Sequence, residues 1–362
     1  MGKAEKNPTL RVREITENDD PGWDELVRAS PSGNRFLRAD CLRMLEATDS
    51  VGIRFARLGA FDKEGCLRAG WALPFQRRAG IMASTYFEFF YAGPMLAPDL
   101  ESGSVHVARE RLEILHALGE AQTRRFHLIE AEAHPRFTDG RALAYAGFRL
   151  RCDYTHIWNF GDAEEVFGRM NRERRRLIRR AAESHRFGIL PVEKAAEGFV
   201  PLYRNLMRKF DWLPGEQWGR DLQERMEWLA VNNAGAVYGA WDEQEELRGA
   251  VIVLLSEEDR TIYLWRCGYI PDRSGQTIVP ALYWNASLHW LKEWGAPLAA
   301  NLGGSPMMSL SQFKSYLGAE VVPHLKLQYR PAAGRGQLWR IARAMKERTR
   351  QRLTRSRVLG EE

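Results

Sequence analysis

The stretch NLGGSPMMSLSQFKSYLG, residues 301–318, contains the most specific pattern in the chain. Two adjacent glycines, Gly303 and Gly304, allow a tight backbone path or the close approach of a ligand. Gly318 stands where a glycine commonly ends a helix. Between them, Lys314 is a lysine in an otherwise apolar helical segment. Its ammonium suits an anionic oxygen or a carbonyl that gains negative charge. The alternative interpretation is a lysine at the rim of a core helix, with its ammonium in solvent.

The length of 362 residues suggests about two domains. No run of about 18 apolar residues predicts a transmembrane helix, and the charged N-terminus lacks the apolar core of a secretory signal. The four cysteines are scattered and do not have the spacing of metal ligands, so no metal site is expected. These features together predict a cytoplasmic protein with reduced thiols.

The net charge of +6 is unevenly distributed. Residues 169–186 contain eight arginines and two glutamates, and residues 335–362 contain nine lysines and arginines and three glutamates. Each segment therefore carries +6, and the rest of the chain carries about −6. Two basic segments favour anionic partners or peripheral contact with the inner face of an anionic membrane. For the C-terminal segment, a solvated basic tail is the alternative.

The chain contains an internal duplication. Segment 143–158, LAYAGFRLRCDYTHIW, parallels segment 313–329, FKSYLGAEVVPHLKLQY, near the end of each half. Each half is expected to follow the order β, α, α, β, β, β, α, β, α, β, which predicts a mixed α/β sheet with a long helix after its central strands. We expect a first domain over 1–160, a second domain over 161–331 that begins with a basic helix, and a tail over 332–362.

Several short motifs occur in a fixed order between residues 12 and 330. They are Trp23 to Phe36, Leu73 to Arg78, Tyr91 to Pro94, the arginine run Arg172 to Ala182, Tyr203, Gly303-Gly304, Phe313-Lys314 and Gly318. Their order and spacing resemble the FemAB/FemX group of double-GNAT acyltransferases. The resemblance implies an α/β fold of two tandem GNAT-like domains.

The resemblance also implies a reaction. A substrate amine attacks an activated acyl ester, carried by aminoacyl-tRNA in FemX-like members and by acyl-CoA in others. The implied activity is that of an N-acyltransferase or aminoacyltransferase acting on a cell-envelope, polysaccharide or peptide precursor in a ternary complex. No cofactor is bound permanently, and no DNA partner is implied. The lysine of the motif, Lys314 here, is implied to stabilise the developing oxyanion.

Further candidate residues lie outside this motif. Asp153 could orient an amine, and His156 could act as a base near neutral pH, although a lone strand histidine is also common as a structural residue. The GNAT pyrophosphate loop survives only weakly, at Arg273-Ser274-Gly275, with one glycine. The candidate substrate- and donor-binding residues are Arg77, Arg172, Arg175, Arg176, Arg179, Tyr203, Arg266, Arg273, Ser274, Gly275, Gly303, Gly304 and Phe313.

The arginine run predicts a helix over residues 162–184. It could bind tRNA phosphates or a nucleotide-sugar pyrophosphate, or it could be a charged helix paired with acidic neighbours. A second function hypothesis follows, because a fold does not fix a function. In that alternative, the chain is a non-catalytic nucleic-acid- or membrane-binding protein on a degenerate GNAT scaffold.

Overall fold

The computed structural model describes residues 10–50, 52–78, 80–84, 91–101, 105–210, 214–271, 277–305 and 307–331. Its strands are β1 (Arg11–Glu14), β2 (Arg54–Phe61), β3 (Leu67–Arg78), β4 (Ile81–Ser84), β5 (Met95–Leu96), β6 (Leu128–Glu132), β7 (Arg149–Phe160), β8 (Arg186–Ile189), β9 (Gly235–Trp241), β10 (Leu247–Ser256), β11 (Thr261–Tyr269), β12 (Leu298–Gly304) and β13 (Glu320–Tyr329).

Its helices are α1 (Asp20–Ala29), α2 (Ala39–Ala47), α3 (Val105–Arg125), α4 (Arg141–Tyr145), α5 (Ala163–Arg169), α6 (Arg172–Ser184), α7 (Ala195–Met207), α8 (Glu216–Val231), α9 (Val279–Trp294) and α10 (Met308–Tyr316). Single 3-10 turns cover Glu17–Asp19, Arg35–Leu37, Pro98–Glu101, Val192–Lys194 and Arg208–Phe210. Across the described ranges, no helix has the length and apolar content needed to cross a bilayer.

The chain divides into two compact units that exchange segments. The first unit comprises residues 1–32, 52–151 and 325–362, and the second comprises 33–51 and 152–324. This division differs from the boundary expected at residue 160. The reason is that most of β7, the last strand of the first repeat, belongs to the second unit, whereas the end of β13 belongs to the first.

In the first unit, the strands follow the order β1-β2-β3-β4-β6-β13, and β5 pairs with β3. The β4–β6 pair is parallel, and residues Lys326–Tyr329 of β13 pair with β6 in antiparallel orientation. Trp71 lies in the core of this unit, where its indole Nε1 donates to the carbonyl of Ala92 at 2.7 Å. A buried tryptophan is stable only when its N–H finds such an acceptor.

In the second unit, the strands follow the order β7-β12-β11-β10-β9-β8. Only the β11–β12 pair is parallel among these described strands. The core contains Trp158, Phe160 and Trp284, whose ring centroids lie 5.8 to 6.0 Å apart. The indole Nε1 of Trp158 also donates to the carbonyl of Leu317 at 2.8 Å. This bond ties β7 to the end of α10.

The predicted helix over 162–184 is two helices, α5 and α6. Met170 and Asn171 separate them, because Asn171 adopts an extended conformation and its Oδ1 accepts from the backbone N–H of Arg174 at 2.9 Å. An asparagine in this position starts a new helix by satisfying one of the free N–H groups of its first turn. The helix α6 then buries Ile178 and Ala181.

Segment 33–51 is held in the second unit by buried polar contacts. The guanidinium of Arg225 on α8 lies 3.4 Å from the carboxylate of Asp49, with side-chain exposures of 4% and 10%. Arg225 Nε also donates to Thr48 Oγ1 at 3.1 Å, and Ser50 Oγ donates to Asp221 at 2.5 Å. Removing one partner of such a buried pair leaves an uncompensated charge in the interior.

We therefore expect Arg225→Met to lower the free energy of unfolding by about 3 kcal/mol, because Asp49 loses its buried partner. Arg220→Met on the same helix is the control, since Arg220 is exposed, and should change stability by less than about 0.5 kcal/mol. Urea denaturation followed by circular dichroism gives both values. Equal losses for the two variants would contradict this role of Arg225.

Candidate active site

Strands β11 and β12 separate after a short parallel pairing. Their register covers only Thr261–Tyr263 against Ala299–Asn301. Beyond it, β11 continues to Tyr269 and, among the described strands, pairs there with β10 alone, with Trp265 as an extra residue that forms a bulge. Bulges interrupt the ladder and redirect backbone groups, and they are frequent beside active sites. The separation therefore leaves an open edge of backbone N–H and C=O groups on β11.

A second bulge lies at the end of β12. Asn301 pairs with Ile157, and Gly304 pairs with Thr155, so β12 has one more residue than β7 across this interval. Gly303 has a φ of 77°, a conformation that glycine adopts without strain. The buried side-chain oxygen Oδ1 of Asn301 accepts from Thr155 Oγ1 at 2.7 Å and from the backbone N–H of Gly303 at 2.8 Å. This amide fixes the bulge.

Lys314 is bound to the bulged backbone. Its Nζ donates to the carbonyl oxygens of Gly303 at 2.8 Å and Gly304 at 2.6 Å, and the residue is only 4% exposed. Burial lowers the pKa of Lys314 from 10.5 to about 8. The interpretation of Lys314 as a lysine with its ammonium in solvent is therefore wrong. Two of its three N–H groups hold the bulge, and one remains for another acceptor.

His156 belongs to the same cluster. It is 2% exposed, and its Nε2 lies 3.4 Å from Ser311 Oγ on α10. Burial and, second, the charge of Lys314 lower the pKa of His156, whereas a backbone hydrogen bond with Gly303 opposes them. Its Nδ1 and the hydroxyl of Ser305 are buried without a hydrogen-bond partner in the described part of the chain. Unsatisfied polar atoms beside a lysine of low pKa are typical of a functional site.

Glycine and arginine contacts hold α10 in place. Gly318 has a φ of 70°, and a Cβ there would lie 2.8 Å from the backbone carbon of Arg169. The guanidinium of Arg174 lies 5.6 Å from the ring centroid of Phe313. The predicted site residues Lys314, Gly303, Gly304, His156 and Phe313 thus lie together around one bulge, whereas their chemical roles stay predictions.

A second cluster surrounds Arg266 on β11, immediately after the bulge. Arg266 Nη1 donates to the hydroxyl of Tyr203 at 2.7 Å. Its guanidinium carbon lies 4.6 Å from the ring centroid of Trp265 and 5.7 Å from that of Trp218. The backbone of α7 approaches β11 closely, since a Cβ on Gly268 would lie 2.5 Å from the backbone nitrogen of Tyr203. The aromatic rings fix a guanidinium that suits a carboxylate or a phosphate.

Other predicted site residues lie apart from these clusters or outside the described chain. Asp153 is exposed on β7, its Oδ1 accepts from the backbone N–H of Tyr154 at 2.9 Å, and it contributes to the pKa of neither Lys314 nor His156. Arg77 is exposed on β3 of the first unit. The weak loop Arg273, Ser274 and Gly275 lies outside the described residues.

The predicted anion-binding arginines lie along α6. Arg172, Arg176 and Arg179 are exposed, Arg175 is half-buried, and Arg179 packs 5.3 Å from the ring centroid of Phe167. In the described part of the molecule, no arginine between residues 172 and 180 forms a salt bridge with a carboxylate. At the two ends of the arginine run, Arg169 pairs with Glu320 and Arg186 pairs with Glu245. Both interpretations of this run, an anion-binding helix and a charged helix paired with acidic neighbours, therefore stay predictions.

A cavity lies between α6 and the turn that precedes α9. Its polar lining includes Arg180, Ser184, His185, Arg248 and Thr277. Arg248 is paired with Asp242 and Glu246, so Arg180 is left to provide the guanidinium that suits a phosphate group. Arg248 and His185 were not predictable from the sequence, because this lining comes from three segments that only the fold brings together.

Three further residues of the two clusters, Asn301, Thr155 and Trp218, were not predicted from the sequence. For Asn301, a pattern was available, because an asparagine two residues before a glycine commonly accepts a hydrogen bond from the backbone in a turn. Thr155 and Trp218 carry no such local pattern. Both become neighbours of the site only through strand pairing and helix packing.

Comparisons with known structures agree with this fold. A structure described as FemX matches 89% of this chain and 97% of its own, with a TM-score of 0.65 and 10% identity. A tandem GNAT protein from the clavulanic acid biosynthesis pathway matches 88% of this chain and 97% of its own, with a TM-score of 0.52 and 12% identity. The chain has a tandem GNAT fold. The fold prediction is thereby confirmed.

A GNAT-family acetyltransferase from Colwellia psychrerythraea matches 88% of this chain and 100% of its own, with a TM-score of 0.51 and 11% identity. At identities of this size, similarity shows the fold alone. No protein-family model matches the sequence, and no curated protein matches it. Structural similarity therefore shows the tandem GNAT fold, whereas the activity must be inferred from the residues of the site.

The buried charge of Lys314 predicts a pH-dependent stability difference. Between the native pKa of about 8 and the ordinary value of 10.5, the unfolded chain holds a proton that the native state has released. Stability must therefore rise with pH in this window. Relative to Lys314→Met, the wild type should gain about 2 kcal/mol between pH 7 and pH 9.5.

The measurement is urea denaturation of both proteins at the two pH values. Lys292→Met, at an exposed position on α9, is the matched control and should show a constant difference from the wild type. A pH-independent difference for Lys314→Met would mean that the ammonium is not buried as described.

Proposed function

We propose that this protein is an N-acyltransferase that moves an acyl or aminoacyl group onto an amine of a cell-envelope, polysaccharide or peptide precursor. The observation that carries the proposal is the Lys314 cluster at the end of β12, beside the separation of β11 and β12. A lysine of lowered pKa, a neutral buried imidazole and a glycine bulge meet there. This combination suits a reaction that develops negative charge on a carbonyl oxygen.

In the proposed step, the neutral amine of the acceptor attacks the acyl carbonyl in a ternary complex. A nitrogen–carbon bond forms, and the bond from the acyl carbon to the thiol sulfur of CoA or the ribose oxygen of tRNA breaks. The leaving sulfur or oxygen takes up one proton as the amine loses one. The remaining N–H of Lys314 would stabilise the oxyanion, and the imidazole of His156 would accept the amine proton.

The open edge of β11 is suited to bind an acyl donor that has an extended chain. In the described part of the chain, backbone groups beyond Tyr263 have no strand partner on the side of β12, so a chain with amide groups could add to them as a strand does. The basic cavity near α9 would then hold a phosphate of the donor. Both acyl-CoA and aminoacyl-tRNA carry such phosphates, and both stay candidates as co-substrates in the cytoplasm.

A second candidate is a non-catalytic binding protein on the same fold. Two observations favour it: the residue Lys314 is only 4% exposed, and the α6 arginines form no salt bridge in the described chain. The exposed backbone of Gly304 favours the enzyme, because it opens the cluster to solvent on one side. The two candidates separate on whether acyl transfer depends on Lys314.

We expect Lys314→Met to reduce kcat about 100-fold or more, because one preorganised donor to an oxyanion is worth this much in other enzymes. Lys314→Arg should retain more activity and keep it at higher pH. The wild type loses its positive charge as the pH rises through about 8, whereas an arginine stays protonated.

The assay supplies radiolabelled acetyl-CoA or aminoacyl-tRNA, with a soluble peptidoglycan-precursor peptide and a deacetylated amino-sugar oligomer as amine acceptors. Lys292→Met is the control for a lost lysine away from the site. Transfer that is unchanged in Lys314→Met would overturn the catalytic role of Lys314. No transfer with any pair of donor and acceptor would favour the non-catalytic candidate.

A further inference from the structure

The opening between β11 and β12 has corresponding positions on its two sides. Arg266 and Gly304 each lie three residues beyond the last pair of the two strands, which is Tyr263 with Asn301. Each strand also contains one extra residue over this interval, because each forms a bulge there. At about 3.3 Å per residue, both strands therefore advance by about the same distance. Arg266 thus lies across the opening from the carbonyls that bind Lys314.

The two faces of the sheet at this opening are covered by different helices. On one face, Leu264 of β11 packs in a core with residues of α9 and with Leu317, which follows α10. On the other face, Gly268 of β11 lies against α7, because a Cβ there would be 2.5 Å from the backbone of that helix. The guanidinium of Arg266 also contacts α7, through a hydrogen bond to a tyrosine. Lys314 therefore reaches the opening from the α10 face and Arg266 from the α7 face.

Aromatic rings hold the guanidinium of Arg266 in one orientation. Its Cζ lies 4.6 Å from the ring centroid of Trp265, 5.6 Å from that of Tyr203 and 5.7 Å from that of Trp218. Tyr203 in turn stacks on Trp218 and Phe199, with centroid distances of 5.3 and 5.4 Å. A guanidinium that is already ordered by rings loses little further freedom when a ligand binds. Its planar fork matches the two oxygens of a carboxylate.

The end of α7 adds positive charge to this face of the sheet. Residues 203–209, YRNLMRK, include three cations and no carboxylate. Arg208 and Lys209 are exposed, and the ammonium of Lys209 lies 5.7 Å from the ring centroid of Tyr269 at the end of β11. A carboxylate that approaches Arg266 along this face therefore meets a favourable electrostatic potential.

We propose that Arg266 binds a carboxylate of the amine acceptor. The inference rests on the proposed function and deepens it, because it names the chemical class of the acceptor: an amine that also carries a carboxylate, as peptides and amino-sugar acids do. The acyl carbonyl of the donor lies in the opening with its oxygen toward Lys314, and the acceptor amine approaches from the α7 face. The acyl carbon then lies between the group that stabilises the oxyanion and the nucleophile, as direct attack requires.

The position of Arg266 favours a carboxylate of the acceptor over a phosphate of the donor. The cavity that suits a donor phosphate is lined by Ala181 of α6 and by Ile278 before α9, and both residues belong to the core on the α10 face. A donor whose phosphate lies there presents its acyl group to the opening, whereas Arg266 lies on the opposite face. Arg266 is therefore placed to meet the second substrate.

The test compares dialanine, trialanine and tetraalanine with their C-terminal amides as acceptors. Each pair differs only in the carboxylate, and the three lengths vary its distance from the amine. With radiolabelled acetyl-CoA or aminoacyl-tRNA as the donor, the full chain should show a KM at least tenfold lower for the acid than for the amide at one length or more. A hydrogen-bonded charge pair is worth about this much.

Arg266→Met should remove this preference by raising the KM of the acid at least tenfold, with kcat changed less than about threefold. Arg266→Lys keeps the charge but loses the planar fork, so it should recover only part of the preference. Arg220→Met, at an exposed position on α8, is the matched control and should keep the preference of the wild type. Circular dichroism checks that each variant is folded. An unchanged preference in Arg266→Met would overturn the proposal.

Two further acceptor pairs separate the sources of the anion. A stronger preference for 2-amino-2-deoxygalacturonic acid over galactosamine than for any peptide acid over its amide would support the carboxylate site and assign it to a sugar acid. A preference for O-phosphoethanolamine over ethanolamine that exceeds every carboxylate preference, and that Arg266→Met removes, would identify a phosphate site and overturn the proposal.

Calorimetric titration with the same peptides, with and without CoA, requires no acyl transfer. Binding of the acids that Arg266→Met weakens at least tenfold, without transfer to any acceptor, would keep the carboxylate site and refute the transferase. Transfer with equal KM values for every acid and its uncharged counterpart would do the reverse. Absence of both carboxylate-dependent binding and transfer would overturn both.

Discussion

The candidate site depends on one buried ammonium. Lys314 donates to two successive backbone carbonyls, and these carbonyls are available only because β12 contains an extra residue with Gly303 in a left-handed conformation. Asn301 completes the arrangement by accepting from the backbone N–H of Gly303. A buried charge is costly unless it is hydrogen-bonded, and these two carbonyls supply that compensation. Its position is accordingly well defined, and its pKa falls toward neutrality.

The topology of the second unit brings His156 to this ammonium, because β7, the last strand of the first repeat, pairs with β12. Arg266 lies in the second cluster, where β11 continues beyond its pairing with β12 and forms a bulge at Trp265. A site assembled from several strand ends is rigid, and rigidity is what a preorganised catalytic geometry requires.

The fold was predictable from the sequence because the two halves of the chain repeat the same pattern of helices and strands. The two halves share one order of elements, and glycines such as Gly318 mark the same helix end in each. The break between α5 and α6 was missed, because the capping action of Asn171 competes with a strong helical pattern on both sides. The exchange of the last strands was missed as well, since the sequence gives no sign of which strand β7 will pair with.

The candidate site was predictable only in part, because only some of its residues belong to a local sequence motif. Lys314, Gly303 and Gly304 lie within one local motif, so their proximity follows from spacing alone. Thr155, Trp218 and Arg248 come from distant segments and depend on strand register and helix packing. The burial of Lys314 was not predictable either, because the sequence indicates which face of α10 is apolar but not how deeply it packs.

Donor binding tests the central claim most directly. The measurement is calorimetric titration of the purified full chain with acetyl-CoA and, separately, with aminoacyl-tRNA across a salt series. The account predicts saturable binding of one of the two, with a steep salt dependence if the donor is tRNA. Binding of neither donor would contradict the account and leave the fold as a scaffold without acyl transfer.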